Sequence, residues 1–256
     1  MSRVALVTGG TRGIGEAVSK ALKAAGYKVA ANYAGNDEAA NAFKAANDIP
    51  VFKWDAGDFQ ACEQGVTAVE NEVGPIDVLV NNAGIGVVGA FEATPMAHVR
   101  KIFATNTFGV MAMCQAIIPQ MRERRSGVIV NVTSSVTLAA MPLAAAYTAS
   151  KQAIEGFTGS LAHELEYFNV RAKLIAPGYA PTTRFAQNTD LRIEDLIPPA
   201  YAGFATPIFA EFAHPAMTTK ETEVAEAIWT AVHDSSDRVH FPGGADAVAL
   251  YEARYR

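Results

Sequence analysis

Residues 4–15 carry the sequence VALVTGGTRGIG. The short run Arg3–Thr8 predicts a strand, and Gly13–Ala25, with its apolar residues on one face, predicts a helix that ends at Gly26. Glycines between such a strand and helix let backbone N–H groups approach a pyrophosphate, to which the helix N-terminus adds partial positive charge. The stretch therefore indicates a dinucleotide-binding turn, although many strand–helix junctions use glycine for structural reasons alone.

Composition and charge narrow the class of protein. The chain has 256 residues, half of them hydrophobic, which is enough for one large core. Its net charge is −5 and no basic run occurs, so nucleic-acid binding is not expected. The N-terminal apolar stretch is too short for a secretory signal, and no long uncharged run predicts a membrane helix. With two distant cysteines, Cys62 and Cys114, and no metal-ligand spacing among five histidines, we expect a cytoplasmic protein without disulfides or metal.

Strand-like and helix-like stretches alternate along the chain. Further strands are predicted at Lys28–Tyr33, Val51–Trp54, Ile76–Val80, Gly127–Val132 and Val170–Ile175, and further helices at Asp58–Val73, Thr94–Met121 and Tyr147–Phe168. This alternation predicts an α/β fold, a Rossmann-type doubly wound parallel sheet in a single domain. One stretch, Gly178–Thr219, breaks the alternation, because it is rich in proline and in aromatic residues such as Phe185 and Phe212. It predicts a long functional loop.

Tyr147 and Lys151 lie four residues apart in the sequence AYTASK, residues 146–151. In a helix, this spacing places the phenol and the ammonium on one face. A phenol has a pKa near 10, which a neighbouring cation lowers toward the range where acid–base catalysis is efficient. An isolated pair of this kind is more often a surface aromatic residue beside a solvated lysine, so the remaining motifs decide between the two interpretations.

The glycine turn has the TGxxxGxG spacing of the short-chain dehydrogenase/reductase family, and the chain resembles this family along almost its whole length. The other matching residues occur in the family's order and at about its spacing. They are the sequence NNAG at Asn81–Gly84, Asn106, the serines Ser134 and Ser135, Tyr147, Lys151, the pair Pro177-Gly178, and Thr182.

This resemblance implies roles for the matching residues. Tyr147 would donate a proton to a carbonyl oxygen as hydride arrives, and Lys151 would lower the phenol's pKa and bind the nicotinamide ribose. Asn106 would hold a water that links Lys151 to solvent. Asp55 would contact the adenine, and Thr182 the nicotinamide amide, although each of these residues taken singly is also explained as an ordinary structural residue. Cofactor contacts are implied for Gly9, Thr11, Arg12, Gly13, Ile14, Gly15, Tyr33, Asp55, Ala56, Asn82, Ala83, Gly84, Tyr147, Lys151, Pro177, Gly178 and Thr182.

Two serines compete for the place that the family gives to a substrate-orienting hydroxyl. The family's usual interval before Tyr147 leads to Ser134, whereas alignment of the strand end leads to Ser135. We expect Ser135, because the end of a strand fixes geometry better than the following loop does.

The choice of cofactor follows from charge. Sites that prefer NAD place a carboxylate at the end of the second strand, where it accepts a hydrogen bond from the ribose 2′-OH. The stretch Ala31–Asn36 around Tyr33 contains no carboxylate. Arg12 lies within the phosphate turn, where a guanidinium can form paired hydrogen bonds with a 2′-phosphate. We therefore expect NADP(H), although Arg12 could also be a solvated residue on the helix's first turn.

The likeness within the family divides along the chain. Residues 1–85 resemble bacterial acetoacetyl-CoA reductases, and the remainder resembles hydroxysteroid dehydrogenases and carbonyl reductases, as in a natural mosaic or an engineered chimaera. The segment of about residues 180–219 falls where the family covers its substrate; packing on the core or on a partner subunit is an equally open interpretation. Ala245–Tyr255 predicts a further helix where many relatives end in a tetramer contact, so both a homodimer and a homotetramer stay open.

The leading hypothesis is an oxidoreductase that moves a hydride between NADP(H) and a ketone, aldehyde or secondary alcohol. The small-molecule substrate itself is not specified by these motifs. The alternative is a non-catalytic protein that senses NADP(H) or scaffolds a partner. The presence of Asn106, a serine pair, Tyr147 and Lys151 favours the enzyme.

The cofactor expectation can be tested with Arg12→Ala. If Arg12 binds a 2′-phosphate, the variant raises the KM for NADPH by about tenfold or more, since charge-assisted hydrogen bonds contribute roughly 1.5–3 kcal/mol. The KM for NADH should change little. An unchanged KM for NADPH, or a wild-type enzyme that prefers NADH, would contradict this expectation.

Overall fold

The computed structural model describes residues 2–183 and 191–255 of the chain. Within these residues the strands are β1 (Val4–Val7), β2 (Lys28–Tyr33), β3 (Val51–Lys53), β4 (Ile76–Asn81), β5 (Gly127–Val132), β6 (Val170–Pro177) and β7 (His240–Gly243). The helices are α1 (Gly13–Ala24), α2 (Asp37–Asn47), α3 (Phe59–Glu72), α4 (Met96–Phe103), α5 (Gly109–Arg124), α6 (Ala145–Glu166), α7 (Ala202–Ala213), α8 (Glu221–His233) and α9 (Ala245–Tyr255).

All seven described strands form one parallel sheet in the order β3-β2-β1-β4-β5-β6-β7. This confirms the predicted α/β class and the Rossmann-type doubly wound sheet. The strand order reverses between β1 and β4, and open α/β sheets bind ligands in the crevice beyond the carboxyl ends of the strands at such a point. The topology therefore places the predicted glycine turn, which follows β1, at that crevice.

Alternate residues of the central strands face two apolar layers. Leu6 and Ile129 pack with buried residues of α3, α5 and α6, whereas Val7 and Val130 pack with buried residues of α1 and α8. Successive side chains of a strand point to opposite faces, so these continuous apolar runs are covered on both sides.

The predicted helix Thr94–Met121 is helical but not uniform. A π-helical segment, Ala104–Phe108, separates α4 from α5 and contains the buried residues Asn106 and Thr107. Directly after it, a Cβ on Gly109 would overlap the carbonyl oxygen of Ala56, so only glycine allows this approach. Single wide turns of this kind are frequent at functional sites.

By length and hydropathy alone, the continuous helical run Met96–Arg124 could cross a membrane, with a mean hydropathy of 1.4 in its most apolar window. Half of that window is buried inside the fold, and Ile117 and Met121 lie within the apolar core. The run is therefore explained as a core helix of the fold.

Three helices were not predicted. Helix α2 buries only Ala40 and Phe43, so its buried face contains a single large apolar side chain, although Asn36 caps the helix by accepting a hydrogen bond from the N–H of Ala39 at 2.9 Å. Helix α7 lies inside the predicted loop and contains Pro207, a residue that usually indicates the absence of a helix. Helix α8 follows that loop. The prediction that Gly178–Thr219 is loop throughout is therefore wrong. Residues 184–190 of the segment, including Phe185, lie outside the described residues.

Candidate active site

The turn after β1 is shaped by glycines that could not be replaced without strain. Gly9 and Gly13 have φ of +61° and +53°, a region that side chains rarely adopt. A Cβ on Gly15 would overlap the carbonyl oxygen of Gly9, so Gly15 lets the first turn of α1 close against the loop. The result is a concave turn that holds the N-terminus of α1 at the crevice, which suits an anionic ligand.

Two polar side chains that sequence reasoning missed tie this turn to the neighbouring strands. The hydroxyl of Thr8 accepts from the N–H groups of Asn82 and Ala83, both at 3.0 Å, and thereby joins the ends of β1 and β4. The side chain of Asn32 on β2 accepts from the N–H of Gly9 at 3.2 Å and donates to the carbonyl of Trp54 at 3.0 Å. Thr8 is the threonine of the TGxxxGxG spacing, whereas the only sequence signal for Asn32 is a polar residue near the end of an apolar strand.

Tyr147 and Lys151 lie in the first turns of α6 and face the same cavity. Both are buried, and Nζ of Lys151 donates to the carbonyl of Val132, at the end of β5, at 2.9 Å. Burial lowers the pKa of Lys151 to about 8. The phenol and the ammonium thus both reach the same groove, and their action as a pair remains a prediction.

The pKa of Tyr147 differs from the expectation. Burial raises it to about 12, and a hydrogen bond with Ser134 opposes that rise. A neighbouring cation alone would lower this pKa, whereas the loss of water around the phenolate raises it and is the larger effect here. At neutral pH the phenol therefore carries its proton.

Asn106 lies behind this pair, within the π-helical segment. Its Nδ2 donates to the carbonyl of Ile85 at 2.8 Å and to the hydroxyl of Ser150 at 3.1 Å, and its Oδ1 accepts from the N–H of Ile85 at 2.9 Å. A Cβ on Gly84 would lie 3.3 Å from Asn106 Oδ1 and 3.4 Å from Lys151 Nζ, so Gly84 separates the two side chains. Asn106 is fully buried, and its role in holding a water remains a prediction.

Helix α6 is attached to the sheet by a chain of buried polar groups that the sequence analysis did not identify. Asn81 on β4 donates to the side chain of Asn131 on β5 at 2.9 Å, and Asn131 donates to the hydroxyl of Thr158 on α6 at 2.8 Å. The hydroxyl of Thr107 donates to the carbonyl of Ser150 at 3.0 Å. These bonds set the height of α6 against the strand ends and hence the positions of Tyr147 and Lys151.

One open groove of about 2580 Å³ runs along the carboxyl edge of the sheet. Every residue for which a cofactor contact was predicted lines it, from the glycine turn through Tyr33, Asp55 and Asn82–Gly84 to Thr182. Ser134, Ser135, Tyr147 and Lys151 line the same groove. The structure thus brings the dinucleotide turn and the acid–base pair to one surface, and the glycine-shaped cradle fits a dinucleotide.

Two of these cofactor positions have partners that were not foreseen. The hydroxyl of Tyr33 donates to Asp37 at 2.9 Å, and Asp37 also forms a 2.8 Å ion pair with Lys53. The hydroxyl of Thr182 donates to the carboxylate of Glu221 at 2.8 Å.

Among the described residues, no group of three histidine, cysteine or acidic residues is arranged to hold a metal ion.

The profile of the short chain dehydrogenase family matches residues 3–192, about three quarters of the sequence. The chain belongs to the short chain dehydrogenase family. It is accordingly an oxidoreductase acting on CH–OH groups, and its family resemblance is confirmed.

Similarities to individual proteins are consistent with membership of this family. An acetoacetyl-CoA reductase from Shinella zoogloeoides is 48% identical over 182 residues, which covers 71% of this chain and 76% of that protein. A short-chain dehydrogenase from Streptomyces avermitilis superimposes with a TM-score of 0.87 at 30% identity, over 99% of this chain and 92% of the other. A Burkholderia phymatum short chain dehydrogenase/reductase in complex with NAD shares the fold, with a TM-score of 0.82 at 24% identity over 99% and 93% of the two chains. The 182-residue alignment is longer than residues 1–85, so the likeness to acetoacetyl-CoA reductases extends past that predicted boundary.

The two serines occupy different places at the end of β5. Ser134 is extended, with φ of −171°, and its hydroxyl accepts from the N–H of Val136 at 3.4 Å as well as bonding Tyr147. Ser135 begins the 3₁₀ turn Ser135–Thr137 that follows. The geometry favours Ser134 over the expected Ser135, because the chain turns immediately after Ser134 and leaves that hydroxyl beside the phenol.

Separate Ser134→Ala and Ser135→Ala variants test this assignment. We expect Ser134→Ala to lower kcat for carbonyl reduction by about 10²-fold or more, the usual cost of removing a hydrogen-bond donor to the reacting oxygen. Ser135→Ala should lose less than about fivefold. Equal losses, or a loss confined to Ser135→Ala, would restore the assignment from the strand end.

Proposed function

We propose that this protein is an NADPH-dependent carbonyl reductase that reduces ketones or aldehydes and, in reverse, oxidises secondary alcohols. The observation that carries the proposal is the joint placement of Ser134, Tyr147 and Lys151 on the groove that also contains the glycine turn. The proposal includes a cytoplasmic homodimer or homotetramer with a small-molecule substrate.

Each residue of this group has a defined task in reduction. NADPH, when bound, supplies the hydride. The protonated phenol of Tyr147 gives its proton to the carbonyl oxygen that Ser134 orients, and the positive charge of Lys151 stabilises the phenolate that remains. Because the pKa of Lys151 is lowered to about 8, its ammonium can pass a proton on near physiological pH.

The preference for NADP(H) is supported by the charges at the end of β2. Arg12, Tyr33 and Asn36 all line the groove. The carboxylate of Asp37, next along the chain, is bound by Lys53 and Tyr33, which hold its pKa below the ordinary value. A carboxylate engaged in this way is poorly available to a ribose 2′-OH, whereas a guanidinium suits a 2′-phosphate.

The substrate side of the groove is largely apolar. Met141, Leu196, Phe209, Phe212 and Met217 line it. Apolar walls with a few convergent polar groups are typical of sites for small organic molecules. This lining supports a carbonyl compound with an apolar substituent, and the acetoacetyl-CoA reductase relatives make β-ketoacyl thioesters a necessary part of any substrate screen.

Purified protein with NADPH and a panel of β-ketoacyl thioesters, aryl ketones and steroids tests the activity. We expect NADPH consumption with at least one compound, and Tyr147→Phe should lower kcat by about 10²–10⁴-fold, the usual contribution of general acid catalysis. The variant should still bind NADPH, as followed by nucleotide fluorescence. Binding of NADPH by the wild type without turnover of any compound would support the sensor or scaffold alternative instead.

The pKa of Lys151 predicts the pH dependence. The protonated pair is the form competent for reduction, so kcat/KM for reduction should be level below about pH 8 and fall with increasing pH above it. Oxidation of the corresponding alcohol should rise toward the same pH, since neutral Lys151 can take up the proton that the reaction releases. A reduction rate that stays level to pH 10 would contradict this assignment.

A further inference from the structure

Helix α9 (Ala245–Tyr255) forms part of the groove wall, although it lies beyond residue 192, where the family profile ends. Ala249 and Leu250 line the groove. Nothing in the family motifs assigns a role to this helix, so its contacts decide what it does.

The N-terminal end of α9 is bound to the loop after β6. The carboxylate of Asp246 accepts from the N–H of Tyr179 at 2.6 Å, and its other oxygen accepts from the hydroxyl of Thr219. A Cβ on Gly178 would overlap Asp246, so this glycine makes the approach possible. Asp246 therefore fixes α9 to Gly178-Tyr179, on one side of the catalytic pair.

The C-terminal end of α9 is bound on the other side. Nη1 of Arg254 donates to the carbonyls of Thr137 and Leu138, at 2.5 and 3.0 Å, in the turn that follows Ser134. Nε2 of His240, just before the helix, lies 2.7 Å from the carboxylate of Glu155 on α6. The helix thus bridges the groove between the loop after β6 and the turn after β5.

Residues 246, 250 and 254 are spaced four apart, so the two anchors and Leu250 share one face of α9. Because both anchors reach the borders of the groove, the side chain between them is directed into it. Leu250 is half-buried on that face, whereas Val248 is 40% exposed and does not line the groove.

We propose that Leu250 is a specificity-determining residue, which limits the size of the apolar group that a ketone substrate can place beside its carbonyl. This rests on the proposed carbonyl reductase function. The hydrogen bonds of Asp246 and Arg254 hold the two ends of α9 to the borders of the groove. The substrates favoured by the wild type are ketones whose apolar substituent fits against a leucine side chain.

The test compares acetophenone with the larger 2-acetylnaphthalene as substrates for Leu250→Ala and Leu250→Trp. Leu250→Ala should raise the ratio of kcat/KM for the larger ketone over the smaller one by about tenfold, and Leu250→Trp should lower it by about tenfold, as expected for changes of a few methylene groups in an apolar pocket. Val248→Ala and Val248→Trp, on the other face of the same helix, are the matched controls and should change the ratio less than twofold. The KM for NADPH and the melting temperature report whether each variant is folded.

The failure of this inference and that of the proposed function give different results. Leu250 variants that are folded, turn over both ketones and keep the wild-type ratio would overturn the inference alone. Reduction of acetoacetyl-CoA with no turnover of either ketone by any variant would also overturn it and leave the reductase function standing. If the wild type reduces no carbonyl compound at all, the proposed function fails and this inference fails with it.

Discussion

The candidate site depends on the burial of one ammonium group. Lys151 is buried in the groove, and its hydrogen bond to the carbonyl of Val132 replaces part of the hydration that the ammonium loses. Desolvation brings its pKa down to about 8, where a lysine can both hold and release a proton. Burial also raises the pKa of Tyr147, so the phenol keeps its proton at neutral pH in the groove that Lys151 lines as well.

A buried charge is useful only where its surroundings are held in place. Two consecutive hydrogen bonds, from Asn81 to Asn131 and from Asn131 to Thr158, fix α6 against β4 and β5. The π-helical segment directs the side chain of Asn106 toward Ile85 and Ser150. These groups belong to strands and helices rather than to loops, which keeps catalytic geometry within narrow limits.

The groove is lined by residues from two parts of the sequence. Residues before 192, which match the family profile, include the glycine turn, Tyr147 and Lys151, and the similarity to the acetoacetyl-CoA reductase covers 71% of the chain. Helices α7, α8 and α9 also contribute residues to the lining. Part of the groove wall therefore lies outside the matched region, and the family assignment alone does not describe it.

Local patterns were sufficient for much of this protein. Alternating strand and helix stretches predicted the doubly wound sheet, and the glycine turn, Tyr147 and Lys151 were all placed by spacing, since each depends on short-range geometry. The hydrogen bond between Ser134 and Tyr147, the rise in the pKa of Tyr147 and the pairing of Asp37 with Lys53 depended on the folded chain. So did the position of α9, because hydrogen bonds between residues more than sixty positions apart, such as that from the N–H of Tyr179 to Asp246, leave no periodic signal in a sequence. Burial and long-range contact are properties of the assembled fold, and they determine both the acidity of the catalytic groups and the shape of the substrate wall.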